Sequence, residues 1–86
     1  AVCRRGGASA TFDRLNKYFT INNMPVVSSQ YWNSVHGAAA GEAVEDLEGL
    51  QTMRTLGRNM VWMLRDLKRE DVPAGEEKKI KTSFVR

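Results

Sequence analysis

The most constraining feature of the sequence is a long apolar stripe in its second half. Between about residues 45 and 69, apolar side chains recur at steps of three and four, which predicts one long amphipathic helix. Gly57 interrupts the stripe, and glycine costs about 1 kcal/mol relative to alanine inside a helix. We therefore expect close packing against a strand or a second helix at this point. The stripe comprises Leu47, Leu50, Met53, Leu56, Met60, Val61, Leu64 and Leu67.

A shorter helix is predicted ahead of this one. Phe12, Leu15 and Phe19 recur at helical spacing, so they form one apolar face. Residues 9–11 provide a helix start, with Asp13 expected in the favourable first turn. The helix is expected to end at the Asn22–Asn23 pair, because asparagine tolerates the left-handed backbone conformation that closes helices.

Two short apolar segments predict strands. Residues 1–3 read as the end of one strand, and residues 24–28 form a continuous apolar run of the kind that is buried on both faces of a parallel sheet. Pro25 stands at the beginning of the second strand, where no donor to the sheet is yet required. Together with the helices, these segments predict an α/β fold of βαβα order with a parallel sheet. Residues 29–41 show no period and form a long connection, a class of loop that is often functional.

One candidate binding site is the run Arg4, Arg5, Gly6 and Gly7, which leads from the first strand into the first helix. Glycines let the backbone approach a ligand, and a helix N-terminus offers free N–H groups to an anion. Two guanidinium groups add positive charge. An ordinary turn with two solvated arginines explains the same residues equally well, so both interpretations stay open.

The second candidate site follows the second predicted strand. It consists of Ser29, Gln30, Tyr31, Trp32 and Asn33. Adjacent aromatic rings flanked by polar side chains offer a stacking face together with donors and acceptors for the edge of a planar heterocycle. The alternative is that the two rings only pin the loop to the core. His36, the single histidine, has no evident partner in sequence and is more typical of a surface or loop-capping residue than of a base.

Composition limits the other classes of function. The single cysteine, Cys3, cannot form an internal disulfide, which fits a reducing, cytoplasmic setting. No apolar run approaches the ~20 residues of a membrane span, and one Cys with one His specifies no metal site. The net charge of +3 is spread along the chain, whereas a nucleic-acid binder more often gathers its basic residues in one stripe.

Four segments carry a resemblance to a known family: Arg4–Gly7, Phe12–Phe19, Met24–Asn33 and Gly49–Met60. The most specific runs within them are Ser28–Asn33 and Gly49–Arg54. Over nearly its whole length, the sequence is similar to the NAD(P)H-dependent FMN reductase family of flavodoxin-like proteins. The family implies a doubly wound parallel sheet with FMN at the strand C-termini, NAD(P)H as co-substrate, and frequent dimers or tetramers.

The sequence departs from that family in one large respect. It has no match to the family's first three strands or to the loop that grips the FMN phosphate. We therefore expect residues 1–70 to be the C-terminal part of a flavodoxin-like domain. Residues 71–86 are expected to be a charged tail that either is disordered or docks on a neighbouring subunit through Phe84 and Val85.

The resemblance implies hydride transfer through FMN bound by the two candidate sites, in a cytoplasmic flavoprotein oxidoreductase. This chain alone is expected to be inactive or weakly active, and to form a homo-oligomer or pair with a missing N-terminal half. The alternative from a different class is a small helical interaction module that binds an acidic partner or nucleic acid.

Overall fold

The computed structural model describes residues 6–67, 77–78 and 80–84. Three elements follow one another in this part of the chain. Helix α1 spans Ala8–Ile21, a single 3₁₀ turn spans Glu42–Glu45, and helix α2 spans Leu47–Asp66. The 3₁₀ turn is in contact with α2, whereas α1 packs on neither of them.

The predicted α/β fold is wrong for the described residues, which are helical and contain no strand. Residues 24–29, which include the second predicted strand, run without regular structure. A strand needs a neighbour to pair its backbone groups, and side chains serve that purpose here. The amides of Asn33 and Asn59 donate to the carbonyl oxygens of Val27 and Ser28, over 3.3 and 2.8 Å. The other predicted strand, residues 1–3, lies outside the described residues.

The predicted end of α1 is confirmed. Asn23 adopts a left-handed conformation with φ of 57°. The N–H of Met24 donates to the carbonyl oxygen of Phe19 over 3.1 Å, and that of Asn23 donates to Thr20 over 3.3 Å. These two bonds form a Schellman closure. The predicted start needs a small correction, because the helix begins at Ala8 and Asp13 falls beyond its first turn.

Helix α2 begins just after Asp46, whose Oδ1 accepts a hydrogen bond of 2.9 Å from the N–H of Gly49. This bond satisfies one of the free donors at the helix start. The predicted range of about 45–69 therefore begins two residues too early. The helix ends at Asp66 with Leu67 as its C-cap, and residues 68 and 69 lie outside the described part.

The predicted apolar faces do not form a core in the described part of the chain, where no hydrophobic side chain is buried. The loop of residues 24–36 lies instead against a small, polar side of α2 that includes Gly49 and Thr52, both buried. The Cα radius of gyration is 17.8 Å, whereas a compact domain of this length would have about 12 Å. The exposed large apolar residues of α2 are Leu47, Met60, Val61, Trp62 and Leu64.

Within the described residues, neither α1 nor α2 is both long and apolar enough to cross a membrane. In the predicted tail, Phe84 is exposed and Val85 lies outside the described residues, so docking of the tail stays a prediction.

Candidate functional site

The five polar and aromatic residues of the second predicted site lie in one tight loop, residues 29–33. The Ser29 hydroxyl oxygen lies 2.6 Å from the carbonyl oxygen of Tyr31 and 2.6 Å from Oδ1 of Asn33. A hydroxyl has one proton, so it donates to one of these acceptors at a time. The N–H of Tyr31 in turn approaches the Ser29 oxygen at 3.4 Å. Ser29 thus closes the loop on itself.

Asn33 fixes the other end of the loop. Its Nδ2 donates to the carbonyl oxygen of Val27, which directs Oδ1 toward Ser29. The N–H of Ser34 donates to the carbonyl oxygen of Trp32 over 2.7 Å and turns the chain immediately after the aromatic pair. The backbone around Tyr31 and Trp32 is therefore held from both sides by hydrogen bonds within residues 27–34.

Two side-chain contacts fasten this loop to α2. Nε2 of Gln30 donates to the hydroxyl oxygen of Thr52 over 3.2 Å, and Nδ2 of Asn59 donates to the carbonyl oxygen of Ser28 over 2.8 Å. Thr52 is only 1% exposed, so its contact is shielded from competing water. Since Thr52 and Asn59 are two turns apart on one side of the helix, they hold the loop along about 10 Å of α2.

Tyr31 and Trp32 form a stacked pair on the outside of the loop. Their ring centroids are 5.6 Å apart, with an angle of 28° between the planes. Offset stacking of this kind is favourable in itself. The two residues keep 58% and 60% of their surface exposed. The structure therefore contradicts the alternative that these rings pin the loop to a core, and it leaves an aromatic surface open to solvent.

Asp46 and His36 form a contact that the sequence reading missed. The N–H of His36 donates to Oδ2 of Asp46 over 2.8 Å, and Nδ1 of His36 lies 3.5 Å from the same oxygen. The backbone N–H of Gly49 and then that of His36 hold the pKa of the Asp46 carboxyl below its usual value, with a smaller contribution from the His36 side chain. Asp46 thereby ties the end of the loop to the start of α2. An acidic residue directly before the apolar stripe was the available signal for a helix cap.

The first predicted site is only partly described. Arg4 and Arg5 lie outside the described residues, Gly6 is exposed, and Gly7 caps α1 without a side-chain hydrogen bond. Among the described residues, no hydrogen bond links Gly6 or Gly7 to the loop of residues 29–33. As far as the described residues go, hydrogen bonds thus do not join the two predicted halves of a cofactor site.

The apolar pattern of the sequence also did not predict the polar side of α2. Gly49, Thr52 and Asn59 are separated by three and seven residues and so share one side of the helix. Apolar periodicity alone does not reveal this pattern. A stripe of small and polar residues beside an apolar stripe was the signal that a loop would cross α2 there.

Comparison of the chain with protein-family models, with curated proteins and with solved structures finds no match. The resemblance to FMN reductases therefore depends only on the sequence segments that carry it. The structure of the loop of residues 29–33 is the remaining evidence on function.

Proposed function

We propose that the Ser29–Asn33 loop binds the isoalloxazine ring of FMN, and that the chain belongs to an NAD(P)H-dependent oxidoreductase. The observation that carries this proposal is the stacked pair of Tyr31 and Trp32, more than half exposed on a loop that hydrogen bonds hold in place. Exposed aromatic rings on a fixed backbone are suited to stack on a planar ligand, because little conformational freedom is lost on binding.

The residues of the loop fit such a ring. A flavin presents a flat apolar face, which an aromatic side chain can cover, and an edge that both donates and accepts hydrogen bonds. Gln30 is exposed, and within the described residues its Oε1 accepts no hydrogen bond. Ser29 and Asn33 keep the loop closed. We assign ring stacking to Tyr31 or Trp32, a contact with the ring edge to Gln30, and loop positioning to Ser29 and Asn33.

The anionic part of the cofactor needs a positive surface. The resemblance places the loop of Arg4, Arg5, Gly6 and Gly7 beside the flavin, where Arg4 or Arg5 would steady an anionic part of the cofactor or of the nucleotide. Among them, Gly7 precedes the N-terminus of α1, where free backbone N–H groups favour an anion. The evidence for residues 4–7 as a binding site is the sequence and the position of Gly7 before α1.

Bound FMN supplies hydride transfer between NAD(P)H and an electron acceptor such as a quinone or another flavin. The chain's own residues orient the ring and cover one of its faces from water. None of the loop side chains is required to move a proton. His36 is engaged with Asp46 and is better explained as a residue that positions the loop.

The test is an FMN titration of the full chain carrying Trp62→Phe, so that Trp32 is the remaining tryptophan. We expect FMN to quench Trp32 fluorescence saturably. Adding Tyr31→Ala should weaken binding at least ten-fold. Tyr18→Ala is the matched control, since Tyr18 is an exposed tyrosine on α1 and not part of the loop.

Equal weakening by both tyrosine substitutions, or an absence of saturable quenching in a chain whose circular dichroism shows folded helices, would refute the proposed site. Since the chain alone is expected to be inactive or weakly active, bleaching of the bound FMN by NADPH under anaerobic conditions, even at a low rate, would support the oxidoreductase assignment.

A further inference from the structure

The apolar side of α2 has the residue spacing of a coiled coil. Leucine, methionine and glycine recur there at alternating steps of three and four residues, as at the a and d positions of a heptad. The repeat begins in the first turn of α2 and ends at the residue that caps its C-terminus, about 26 Å further along the axis. This seam consists of Leu50, Met53, Gly57, Met60, Leu64 and Leu67.

The C-terminal half of the seam is open to solvent. Met60, Leu64 and Leu67 are 44%, 68% and 57% exposed, although leucine and methionine are among the side chains most often buried. In the N-terminal half, Leu50 and Met53 are half-buried. The seam is therefore an apolar surface that the described part of the chain leaves available.

The loop of residues 29–33 lies beside the seam and not over it. The loop is fastened to Thr52 and Asn59. Each of these residues stands one position before a seam methionine, Met53 or Met60, and so lies about 100° around the helix from it. The seam and the candidate FMN site therefore use different sides of α2, and either proposal can fail without the other.

The positions that flank the seam carry little charge. Within the length of the seam they are Arg54 and Val61 on one side, and Leu56 and Met63 on the other. In many coiled coils these positions hold glutamate and lysine, whose ion pairs set the choice of partner. Since only one of the four is charged here, the fit of the apolar residues must decide what packs on the seam.

A second copy of α2 fits the seam when the two helices run antiparallel. Turning a helix end over end reverses the order of the three- and four-residue steps, so a positions of one copy come level with d positions of the other. In one register every seam residue has a partner, and each pair occurs twice because the dimer is two-fold symmetric. The pairs are Leu50 with Leu67, Met53 with Leu64, and Gly57 with Met60.

Gly57 favours this direction over a parallel pair. A Cβ atom at Gly57 would meet no heavy atom within 4 Å, so there is open space beside it in the described structure. In the antiparallel pair, the long and adaptable side chain of Met60 from the second copy fills that space. In a parallel pair each seam residue meets its own counterpart, so Gly57 faces Gly57 and leaves a cavity, which costs stability.

We propose that the seam of α2 binds the seam of a second copy of the chain in an antiparallel pair, with Gly57 of each copy packed against Met60 of the other. This direction also brings Arg54 close to Val61 of the second copy, on which the aliphatic stem of the arginine can pack. The opposite ends of the two helix dipoles then lie side by side, which is favourable.

The association is weak because the contact is small. A stable interface buries ~800 Å² on each partner, whereas the seam offers a contact about 26 Å long and one helix, ~10 Å, wide. The chain is therefore monomeric at low micromolar concentration and dimerises as the concentration rises.

Sedimentation velocity of the full chain between about 10 μM and 1 mM tests the proposal. We expect the average mass to rise from that of a monomer toward that of a dimer. Leu64→Glu should weaken dimerisation about ten-fold or more, because the new carboxylate would be buried in the seam. Trp62→Glu is the matched control: Trp62 is 66% exposed, close to the 68% of Leu64, but lies outside the seam. It should change dimerisation by less than about two-fold.

Two further variants test the packing at Gly57 and the direction of the helices. Gly57→Leu should raise helix content and yet weaken dimerisation about ten-fold, because the added side chain takes the space that Met60 of the second copy fills. In a Cys3→Ser background, a Leu50→Cys chain mixed with a Leu67→Cys chain should form a mixed disulfide on oxidation, since the antiparallel register brings these two positions together.

Three outcomes would overturn the proposal. The first is a chain that shows helical circular dichroism and stays monomeric at about 1 mM. The second is equal weakening of the dimer by Leu64→Glu and Trp62→Glu. The third is a disulfide between two Leu50→Cys chains that forms as readily as the mixed one, because only a parallel pair brings position 50 against itself.

Discussion

At the scale of single residues, Asp46 does the most to position the candidate site. It caps α2 through Gly49 and holds the loop through the backbone of His36. Because these bonds favour the carboxylate, the pKa of Asp46 is lower in the folded chain than in the unfolded one, where it is about 3.9. The contribution of Asp46 to stability is therefore complete above the unfolded value, and it is lost as pH falls through the lower folded value.

We predict that Asp46→Asn reduces the helix content at neutral pH and removes one component of its acid dependence. The measurement is circular dichroism at 222 nm between about pH 6 and pH 2, a window that spans the free carboxyl pKa of about 3.9. Asp13→Asn is the matched control, since the Asp13 side chain is exposed and forms no hydrogen bond with a described residue. Identical acid profiles for the two variants would contradict the assigned role of Asp46.

Alanine substitutions at two glycines of α2 should have opposite effects on stability. A Cβ atom at Gly49 would collide with the Asp46 carboxylate and lie 3.0 Å from the Cα of Val35, which is backbone. We expect Gly49→Ala to destabilise the chain by about 1–3 kcal/mol, the usual range for overpacking. Gly57→Ala meets open space and should stabilise α2 by about 1 kcal/mol.

Urea titration of both glycine variants by circular dichroism measures this difference. If both substitutions shift the urea midpoint in the same direction, the loop does not press on α2 at Gly49.

At the scale of elements, the site depends on how firmly the loop is fastened to α2. Thr52→Val keeps the shape of the side chain but removes the hydroxyl that accepts from Gln30, and Asn59→Ala frees the carbonyl of Ser28. Each change should cost about 1 kcal/mol, as for a typical lost hydrogen bond. Both should also lower the fluorescence anisotropy of Trp32 in the Trp62→Phe background. Thr20→Val, on exposed α1, should leave the anisotropy unchanged.

The two helices were predictable from sequence because their signals are local. The three- and four-residue steps and the Asn22–Asn23 stop lie within the segments they describe. A strand is different, since it exists only when a neighbour pairs with it. The run of residues 24–28 had the right composition for a strand, yet its carbonyl groups bond to amide side chains of Asn33 and Asn59.

The candidate loop was found because its residues are contiguous, so no knowledge of the fold was needed to bring them together. Its fastening to α2 was not found, since Gln30 and Thr52 are 22 residues apart. The same reason explains why His36 seemed to lack a partner, although Asp46 follows it by only ten residues. Long-range polar pairs carry no periodic signal in a single sequence.

At the scale of the whole molecule, the described part of the chain lacks the apolar core that usually dominates stability. An isolated helix of 20 residues is only marginally stable in water, and most helices in proteins are supported by packing of an apolar face. The large apolar residues of α2 that stay exposed, Leu47, Met60, Val61, Trp62 and Leu64, have no such support from the described residues. Its stability should therefore depend on what covers it.

We therefore predict that the chain alone unfolds in urea with a shallow slope, below the ~1 kcal/mol/M that small cooperative domains reach, because unfolding exposes little additional surface. A steep transition would mean that the chain already covers its apolar stripes, either by self-association or within one chain. Dilution over a hundred-fold range of concentration separates the two cases, because only an oligomer loses stability on dilution.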